Sequence, residues 1–452
     1  MDISRRSFLG GAFSLGALSG CRAFNAPAGF FSGSGANLTL GVISDIHVDA
    51  AKGDFKKFGD TAQFERTLRW FDAQGVDGVV VAGDMADNGM VNQLECVGEA
   101  WFRVFPDGRS DRDGRKVEQL FVYGNHDYEG QHYDKFDVRY FEKKSFEAAQ
   151  IARDPAKAWK LAFHEDYSPI WFKTVKGYQF VGAHWHFGKD SWDGIPAVEP
   201  WFKEHAAELD RTKPFFFIQH PHPKDTVYGE DAWGADKGYA TRALSAFPNA
   251  VAFSGHSHTS LTDERSVWQG AFTSIGTSSL RYGGSVDQYA QRQGMLVKVY
   301  DDRIVIVRRD FLHDESLGDD WIIPLPAADA KPFAYDVRKA KGSAPEFAAD
   351  AKLAVTREEK GWLVTIPCAD AAATRAFRYE VATGLKDKDG KALTFRAYDA
   401  KYNMPRFMSG APTKYLIKAE ALPKGADGKA LAPKIVVTPL DSFGNRGKAL
   451  SA

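Results

Sequence analysis

Five short apolar segments are each followed at once by acidic, amide or imidazole side chains, and this pattern constrains the fold more than any other feature. In open α/β sheets the carboxyl ends of the strands meet along one edge, where ligands bind. We therefore expect the five clusters to converge at one site, although they are far apart in the chain. The clusters are Ser44-Asp45-Ile46-His47, Gly83-Asp84-Met85-Ala86-Asp87, Gly124-Asn125-His126-Asp127, Gln219-His220-Pro221-His222 and Gly255-His256-Ser257-His258.

A strand–helix–strand unit opens this region. Leu38–Ile43 and residues 79–82 are predicted buried strands, and a helix between them places Phe64, Leu68 and Phe71 on one face. Such a unit of about 45 residues is typical of a βαβ crossover. Four more apolar strands are predicted, at residues 120–123, 180–183, 215–218 and 251–253.

The composition indicates two domains after the amino-terminal segment. Residues 324–332 are rich in Ala and Pro and predict a boundary between residues 38–325 and residues 332–452. The second region shows short strand patterns without a helical period, which predicts a small β-sandwich.

Residues 128–213 form a long aromatic stretch, which we expect to cover the site as a cap or rim. Its aromatic side chains either pack the insertion, which we favour, or stack on a base or sugar of a ligand. They are Tyr128, Tyr133, Trp171, Tyr178, Trp185, Trp192 and Trp201.

Residues 1–20 are predicted to be a twin-arginine (Tat) export signal. Arg5 and Arg6 precede a weakly apolar stretch that is too short to span a bilayer. The following Leu18-Ser19-Gly20-Cys21 resembles a bacterial lipobox, which would make Cys21 a lipid anchor. The alternative is cleavage after residues 26–28 and a soluble periplasmic product. Residues 21–37 are then a linker, and the protein is periplasmic or anchored at the cell envelope.

Charge and cysteine content exclude several classes of protein. The 452 residues include 58 basic and 59 acidic side chains, a formal net charge of −1, so charge gives no reason to expect a nucleic-acid partner. Three cysteines exclude a disulfide-stapled scaffold and a cysteine-based zinc module. Cys96 and Cys368 are expected to be unpaired and largely buried. The sequence does not indicate an oligomeric state.

The five clusters carry the side chains that bind transition metals. Carboxylates and imidazoles suit such ions, and a carboxylate can bridge two of them. The Asp-x-His spacing places two side chains on the same side of the chain as it leaves a strand. Of His220 and His222 we favour His220 as a ligand, because it comes directly off its strand. His184 and His186 follow another strand and either face the site or pack in the core.

Taken together, the clusters resemble the signature of the calcineurin-like metallophosphoesterase superfamily, and the resemblance covers residues 38–325. It implies an α/β fold in which a metallophosphoesterase-type β-sheet sandwich is flanked by helices. It also implies two metal ions, divalent or trivalent Mn, Fe or Zn. The implied ligands are Asp45, His47 and His258 for one ion, Asn125, His220 and His256 for the other, and Asp84 as the bridge.

The resemblance also implies two catalytic residues. His126 would give a proton to the leaving oxygen or clamp the phosphate, and Asp87 would orient His126. Purple acid phosphatases have a metal-binding Tyr three residues after the bridging Asp, whereas this chain has Asp87, so no tyrosinate–iron colour is expected. Arg281 either binds a phosphate or carboxylate of the substrate or lies on the surface.

The expected function is that of an exported hydrolase of small-molecule phosphoesters, which acts by attack of a metal-bridging hydroxide. Phosphomonoesters are the first expectation, and a phosphodiesterase for cyclic nucleotides or other diesters is the alternative. A reading from another class is a non-catalytic cell-surface scaffold that kept the fold and lost the metals. The complete set of seven expected ligands argues against that scaffold.

Overall fold

The computed structural model describes residues 35–48, 50–51, 54–58, 61–127, 154–185, 195–229, 232–283, 291–400, 402 and 411–452. The predicted export signal, Cys21 and most of the linker lie outside the described residues, as do Tyr128, Tyr133, His186 and Trp192. Residues 36–452 form one compact unit. Within the described ranges, no helix has the length and apolar character needed to cross a bilayer.

The helices of the described residues are short to medium in length. They are α1 (Thr61–Ala73), α2 (Val91–Val104), α3 (Pro155–Phe163), α4 (Val198–His205), α5 (Tyr239–Leu244) and α6 (Tyr335–Lys341). Helix α1 buries Phe64, Leu68 and Phe71 on one face, as predicted. Helix α3 begins after Asp154, whose carboxylate accepts hydrogen bonds from two main-chain N–H groups of the first turn.

The described strands are numbered in chain order. They are β1 (Leu38–Ile43), β2 (Ala50–Ala51), β3 (Asp54–Phe58), β4 (Gly78–Ala82), β5 (Glu118–Val122), β6 (Ile170–Val175), β7 (Tyr178–Ala183), β8 (Phe215–Ile218), β9 (Ala250–Ser254), β10 (Val267–Gln269), β11 (Thr273–Gly276), β12 (Gln293–Val299), β13 (Arg303–Asp310), β14 (Glu315–Ser316), β15 (Trp321–Pro324), β16 (Glu346–Phe347), β17 (Ala354–Glu358), β18 (Gly361–Ile366), β19 (Ala369–Asp370), β20 (Ala376–Lys386), β21 (Ala392–Tyr398), β22 (Thr413–Lys418), β23 (Val436–Asp441) and β24 (Leu450–Ser451).

Two large sheets form the core. The first has the order β14-β13-β12-β1-β4-β5, with β15 paired to β13, and the second has the order β10-β11-β9-β8-β7-β6. Strands β1, β4 and β5 are parallel, and so are β7, β8, β9 and β11. Side chains from both sheets, among them Val42, Val80, Phe216 and Phe253, share one buried apolar cluster.

Helices cover the outer faces of this sandwich. On the first sheet, Leu68 of α1, Trp101 of α2 and Trp159 of α3 belong to one buried cluster with Phe121 of β5. On the second sheet, side chains of α4 and α5 pack with those of β7, β8 and β9. The fold is therefore the α/β sheet sandwich flanked by helices that the sequence predicted.

The carboxyl-terminal region is rich in strands. Its two main sheets have the orders β17-β18-β22 and β21-β20-β23-β24. Trp362 and Val364 of one sheet share a buried cluster with Tyr379, Val381 and Val437 of the other, which is consistent with the predicted β-sandwich. The exact domain boundary at residues 324–332 stays a prediction.

One element of this region differs from the sequence analysis. Helix α6 lies beyond residue 332, where no helix was expected. It buries none of its residues. A helix without a buried face needs no apolar period, so the hydrophobic pattern could not indicate it.

The predicted cap also divides into different parts. The described portion of residues 128–213 contributes strands β6 and β7 to the second core sheet. It also contains helices α3 and α4. Trp171, Tyr178 and Trp185 are buried there. These three rings therefore pack in the core, which was the favoured alternative to stacking on a ligand. The rest of the stretch, residues 128–153 and 186–194, lies outside the described residues.

Candidate metal centre

The seven expected ligands lie at strand ends on one edge of the sandwich. Asp45 and His47 follow β1, Asp84 follows β4 and Asn125 follows β5, all from the first sheet. His220 follows β8, and His256 and His258 follow β9, from the second sheet. All seven side chains are buried except that of His256, which is partly exposed.

The backbone at these strand ends is strained. Five of the seven residues have a positive φ, the left-handed region that only glycine adopts freely. They are Asp45 (53°), His47 (46°), Asp84 (51°), His256 (73°) and His258 (53°). Main-chain hydrogen bonds between clusters hold this conformation, because the N–H groups of Asp45 and His47 each donate at 3.0 Å to the carbonyls of Gly83 and Asp84.

Glycines make room for the converging side chains. A Cβ on Gly124 would lie 2.1 Å from Oδ1 of Asp84, and one on Gly83 would lie 2.5 Å from Nδ1 of His220. The same holds for Gly255, where a Cβ would lie 2.5 Å from Oδ2 of Asp45. Each glycine of the sequence clusters therefore lies against a functional side chain of another cluster.

The first set of donor atoms comes from Asp45, His47, Asp84 and His258, and these atoms all lie within 4.8 Å of one another. Nε2 of His258 is 2.8 Å from Oδ1 of Asp45. It is also 3.1 Å from Nε2 of His47, which in turn is 3.7 Å from Oδ2 of Asp84. Two buried carboxylates and two imidazoles thus point at one spot.

The second set comes from Asp84, His220 and His256. Nε2 of His220 is 3.0 Å from Oδ2 of Asp84 and 3.1 Å from Nδ1 of His256. Asp84 belongs to both sets. The structure therefore places six of the seven expected ligands in two donor sets that share one carboxylate.

Asn125 completes the arrangement. Its side chain is buried, and its Oδ1 has no hydrogen-bond partner. Leaving a buried carbonyl oxygen unpaired costs about 1–3 kcal/mol, and a cation beside it would remove that cost. The orphaned oxygen and the buried carboxylate–imidazole sets fit two transition-metal ions.

Hydrogen bonds from the far side of the rings aim two imidazoles at the centre. Nδ1 of His220 donates to the carbonyl of Ala82 at 2.7 Å, and Nδ1 of His258 donates to that of Tyr282 at 3.1 Å. The Nε2 atoms are thereby left as ligands, as is usual for metal-binding histidines. His222 lies outside both sets, with Nδ1 3.1 Å from Oγ of Ser254.

Asp84 and the imidazoles next to it shift one another's pKa values. Burial favours the neutral carboxyl of Asp84, but the imidazoles around it, His220 first, hold its pKa well below the usual value. Burial likewise opposes the charge of His220, yet Asp84 raises the pKa of His220 to about 9. The pKa of His256 falls to about 3, because of its burial and of the charge on His220. The lowered pKa values of Asp84 and Asp45 keep both buried carboxyls ionised, as ligands of a cation must be.

His126 lies beside the first set, but its support differs from the expected one. Its Nδ1 donates to the main-chain carbonyl of Asp87 at 2.8 Å. The carboxylate of Asp87 instead lies 3.2 Å from Nδ1 of His47. Asp87 therefore orients the ring of His126 through its backbone, while its carboxylate contacts a predicted metal ligand.

The structure also separates the other open assignments. Arg281 donates to the carbonyl of His47, so it lies at the centre and not on a remote surface. His184 is buried, accepts from the N–H of Tyr123 at 3.0 Å and packs against aromatic rings. It belongs to the core alternative. Cys96 is buried and Cys368 is half-buried, and both are free thiols.

Several residues at the centre were given no role by the sequence analysis. Asp127 accepts main-chain hydrogen bonds from Ala86 and Gly124, each at 2.7 Å, and ties two clusters together. Its burial and the charge of Asp84 raise its pKa to about 7. Tyr282 and Trp233 place aromatic rings against the centre from loops far apart in sequence. Only Asp127 could have been found from its place in a cluster.

The five clusters lie within a region of the chain that matches a known protein family. Residues 38–260 match the model of the calcineurin-like phosphoesterase family. No curated protein sequence matches the chain. Among solved structures, a dimetal phosphatase from Danio rerio is 13% identical with a TM-score of 0.39, over 64% of this chain and 99% of that one. A purple acid phosphatase from yellow lupin (Lupinus luteus) seeds is 12% identical with a TM-score of 0.42, over 70% of this chain and 57% of that one. The family match covers all five clusters, and residues 38–260 of this chain are therefore a calcineurin-like phosphoesterase domain.

Proposed function

We propose that this protein is a metal-dependent hydrolase of small-molecule phosphoesters. The observation that carries the proposal is the pair of buried donor sets that share Asp84. Two ions of Mn, Fe or Zn suit these donors, held by Asp45, His47 and His258 on one side and by Asn125, His220 and His256 on the other. When bound, such ions activate water near neutral pH and neutralise charge on a phosphate group.

His126 is the proton donor in this proposal. Because its Nδ1–H is held by the carbonyl of Asp87, the nitrogen that exchanges a proton with substrate is Nε2. An alkoxide leaving group needs a proton, and a protonated imidazole supplies it at near-neutral pH. Asp84 fixes the backbone of this residue, since its Oδ1 accepts from the N–H of His126 at 3.0 Å.

We assign phosphomonoesters as the first substrate class and phosphodiesters as the second candidate. Both reactions use the same metal-binding side chains, so the assignment has to be made by assay. The full chain is purified with added Mn, Zn or Fe, its metal content is measured by mass spectrometry, and an aryl phosphate is compared with a bis-aryl phosphate. We expect two ions per chain and faster hydrolysis of the monoester. A protein that binds no metal and cleaves neither ester contradicts the proposal and favours the scaffold. One that binds metal but cleaves neither ester contradicts the assignment of both substrate classes.

Two variants separate metal binding from proton donation. Asn125→Ala should lower the metal content, since it removes one donor oxygen. His126→Ala should keep both ions and slow turnover by about 10²–10⁴-fold. In His126→Ala, the hydrolysis rate should fall more for an alkyl phosphate than for a nitrophenyl phosphate. The alkoxide is the poor leaving group that needs a proton. Equal losses on the two esters would make His126 a phosphate clamp. His205→Ala, on the outer helix α4, is the control.

We further propose that the chain is exported and works in the periplasm or at the cell envelope. Only the amino-terminal sequence supports this, through Arg5, Arg6 and Cys21. Replacing both arginines by lysine should hold the protein in the cytoplasmic fraction. Cys21→Ser should release it from the membrane fraction, whereas an unchanged distribution contradicts lipid anchoring.

A further inference from the structure

Trp233 stands at the solvent side of the second donor set. Its ring centroid is 5.1 Å from that of His256, with 53° between the ring planes. The side chain is 55% exposed, which is unusual for a tryptophan in contact with a buried polar centre. Trp185 also contacts His256, with 5.8 Å between the ring centroids, but its side chain is buried and only 2% exposed. His256 therefore has a core-side indole and a solvent-side indole.

The position of Trp233 is fixed by its neighbours in the chain. Gly234 has a φ of +76°, and a Cβ there would lie 2.2 Å from Cδ2 of His256. The carbonyl of Gly234 accepts from the N–H of His222 at 3.1 Å, and the N–H of Asp236 donates to the carbonyl of His222 at 2.7 Å. The turn is thus pressed against the centre and tied to the segment that follows β8. The exposed indole is presented by an ordered backbone.

A second aromatic ring lies at the first donor set. The ring of Tyr282 is 4.5 Å from that of His258 and 5.2 Å from that of His47. Its main-chain carbonyl accepts from Nδ1 of His258, which ties the backbone of Tyr282 to a predicted ligand. Tyr282 is half-buried. Each donor set therefore has an aromatic ring against it that is not fully buried, exposed in Trp233 and half-buried in Tyr282.

We propose that Trp233, with Tyr282, selects phosphoesters whose organic group is a planar aromatic ring. This inference rests on the proposed function. A phosphate held at the donor sets must leave its organic group pointing away from the buried carboxylates and toward solvent. A flat ring there would cover exposed indole surface and stack on it, whereas a small polyol would do neither. Stacking of this kind contributes about 5- to 150-fold in affinity.

Steady-state kinetics of the metal-loaded full chain test the proposal. Trp233→Ala should raise KM for an aryl phosphate by about 5- to 150-fold, and raise KM for glycerol phosphate several-fold less. Trp233→Phe should restore most of the aryl preference, because it keeps an aromatic face. Phe172→Ala is the matched control, since Phe172 is a 40% exposed aromatic on β6. Equal effects of Trp233→Ala on the two substrates, or a fall in metal content alone, would make Trp233 structural and overturn the proposal.

A binding measurement separates this proposal from the proposed function. Phenylphosphonate and methylphosphonate carry a P–C bond in place of the ester P–O–C linkage and are therefore not hydrolysed. Their affinities are measured by calorimetry on the metal-loaded chain. We expect phenylphosphonate to bind more tightly, and Trp233→Ala to abolish the difference. That result supports the aromatic preference even in a protein without turnover. Equal affinities in the unmodified protein overturn it, whatever the hydrolytic activity.

Discussion

At the scale of single residues, the centre depends on backbone conformations that are costly by themselves. A non-glycine residue in the left-handed region costs about 1–3 kcal/mol, and five of the predicted ligands adopt it. The order of polar residues predicted which side chains converge. It could not predict their φ angles, because Asp and His, although enriched among residues in the left-handed region, adopt it at only a minority of positions.

The first prediction concerns the glycine that lies against the shared carboxylate. Gly124→Ala should strip the protein of metal, because the added carbon would lie 2.1 Å from Oδ1 of Asp84 and displace it. Metal content per chain is the measurement. Gly425→Ala is the control, since its added carbon would meet nothing closer than 3.2 Å. A Gly124→Ala protein with its full metal content would show that Asp84 is not needed where the structure places it.

The second prediction concerns the two thiols. Burial and the nearby Glu99 and Glu95 raise the pKa of Cys96 to about 12. At pH 8 only about one molecule in 10⁴ then carries the reactive thiolate. Half-buried Cys368 should be alkylated by iodoacetamide much sooner than Cys96, as followed by peptide mass spectrometry in the folded protein. Equal rates for the two would contradict the burial of Cys96.

The aromatic residues mark the limit of sequence reasoning at this scale. The convergence of the expected ligands could be predicted because each lies within a few residues of the end of its strand. Trp233 lies 13 residues after His220, and Tyr282 lies 24 residues after His258, with no fixed spacing to read. Their contact with the centre depends on how long loops fold back, which is a tertiary property.

At the scale of elements, fully buried strands were the easiest to predict. The expected strands at residues 79–82 and 251–253 correspond to β4 and β9 within two residues at each end. Strand pairing was not predictable in the same way. Strand β1 has β4 as its parallel neighbour on one side and β12, about 250 residues later, on the other. Nothing local in a sequence encodes a partner at that distance.

The third prediction concerns the crossing of α2 and α3. A Cβ on Gly98 of α2 would lie 1.8 Å from the carbonyl oxygen of Ala162 in α3. Helix propensity alone predicts that Gly98→Ala stabilises the protein by about 1 kcal/mol. The close approach predicts a net loss of about 1–3 kcal/mol instead, because the helices must separate.

Urea unfolding decides between these signs through the midpoint of the transition. Glu99→Ala, at the next and exposed position of α2, shows the effect of an alanine without a crossing. A stabilised Gly98→Ala protein would mean that the two helices are farther apart than described.

At the scale of the whole molecule, the carboxyl-terminal strands are joined to the phosphoesterase domain through a buried charge. Arg265 lies on the loop that follows His258, with Nη2 2.9 Å from Oδ2 of Asp263. Its guanidinium covers the ring of Phe377 at 3.8 Å. The hydroxyl of Tyr402 donates to Oδ1 of Asp263 at 3.0 Å. The sequence predicted two regions, but not this junction, because its members are more than 100 residues apart.

The fourth prediction follows from that junction. Asp263→Ala should destabilise the protein by about 3–5 kcal/mol, because it leaves the guanidinium of Arg265 buried without its partner. Tyr402→Phe removes the contacts of one hydroxyl with Asp263 and Ser442 and should cost about 1–3 kcal/mol. Urea midpoints at pH 7 measure both. An Asp263→Ala protein as stable as the parent would show that water reaches Arg265.

The ionisation of Asp263 makes the stability that it contributes depend on pH. Burial opposes the charge of Asp263, but Arg265 holds its pKa below the usual value of 3.8. The stabilisation is therefore complete above about pH 4 and is lost as the pH falls through the lowered pKa of the folded protein. The difference in stability between the parent and Asp263→Ala should shrink over that acidic range. A difference that grows in acid would contradict the ion pair.

The candidate centre draws Asp45, Asp84 and Asn125 from one sheet and His220 and His256 from the other. A full set of donors therefore comes into being only once the two sheets have stacked in register. A misfolded chain would bind few ions, because a preformed metal site rarely exists outside the folded structure. The metal load of a preparation would then act as an assay of folding fidelity, readable before any substrate is known.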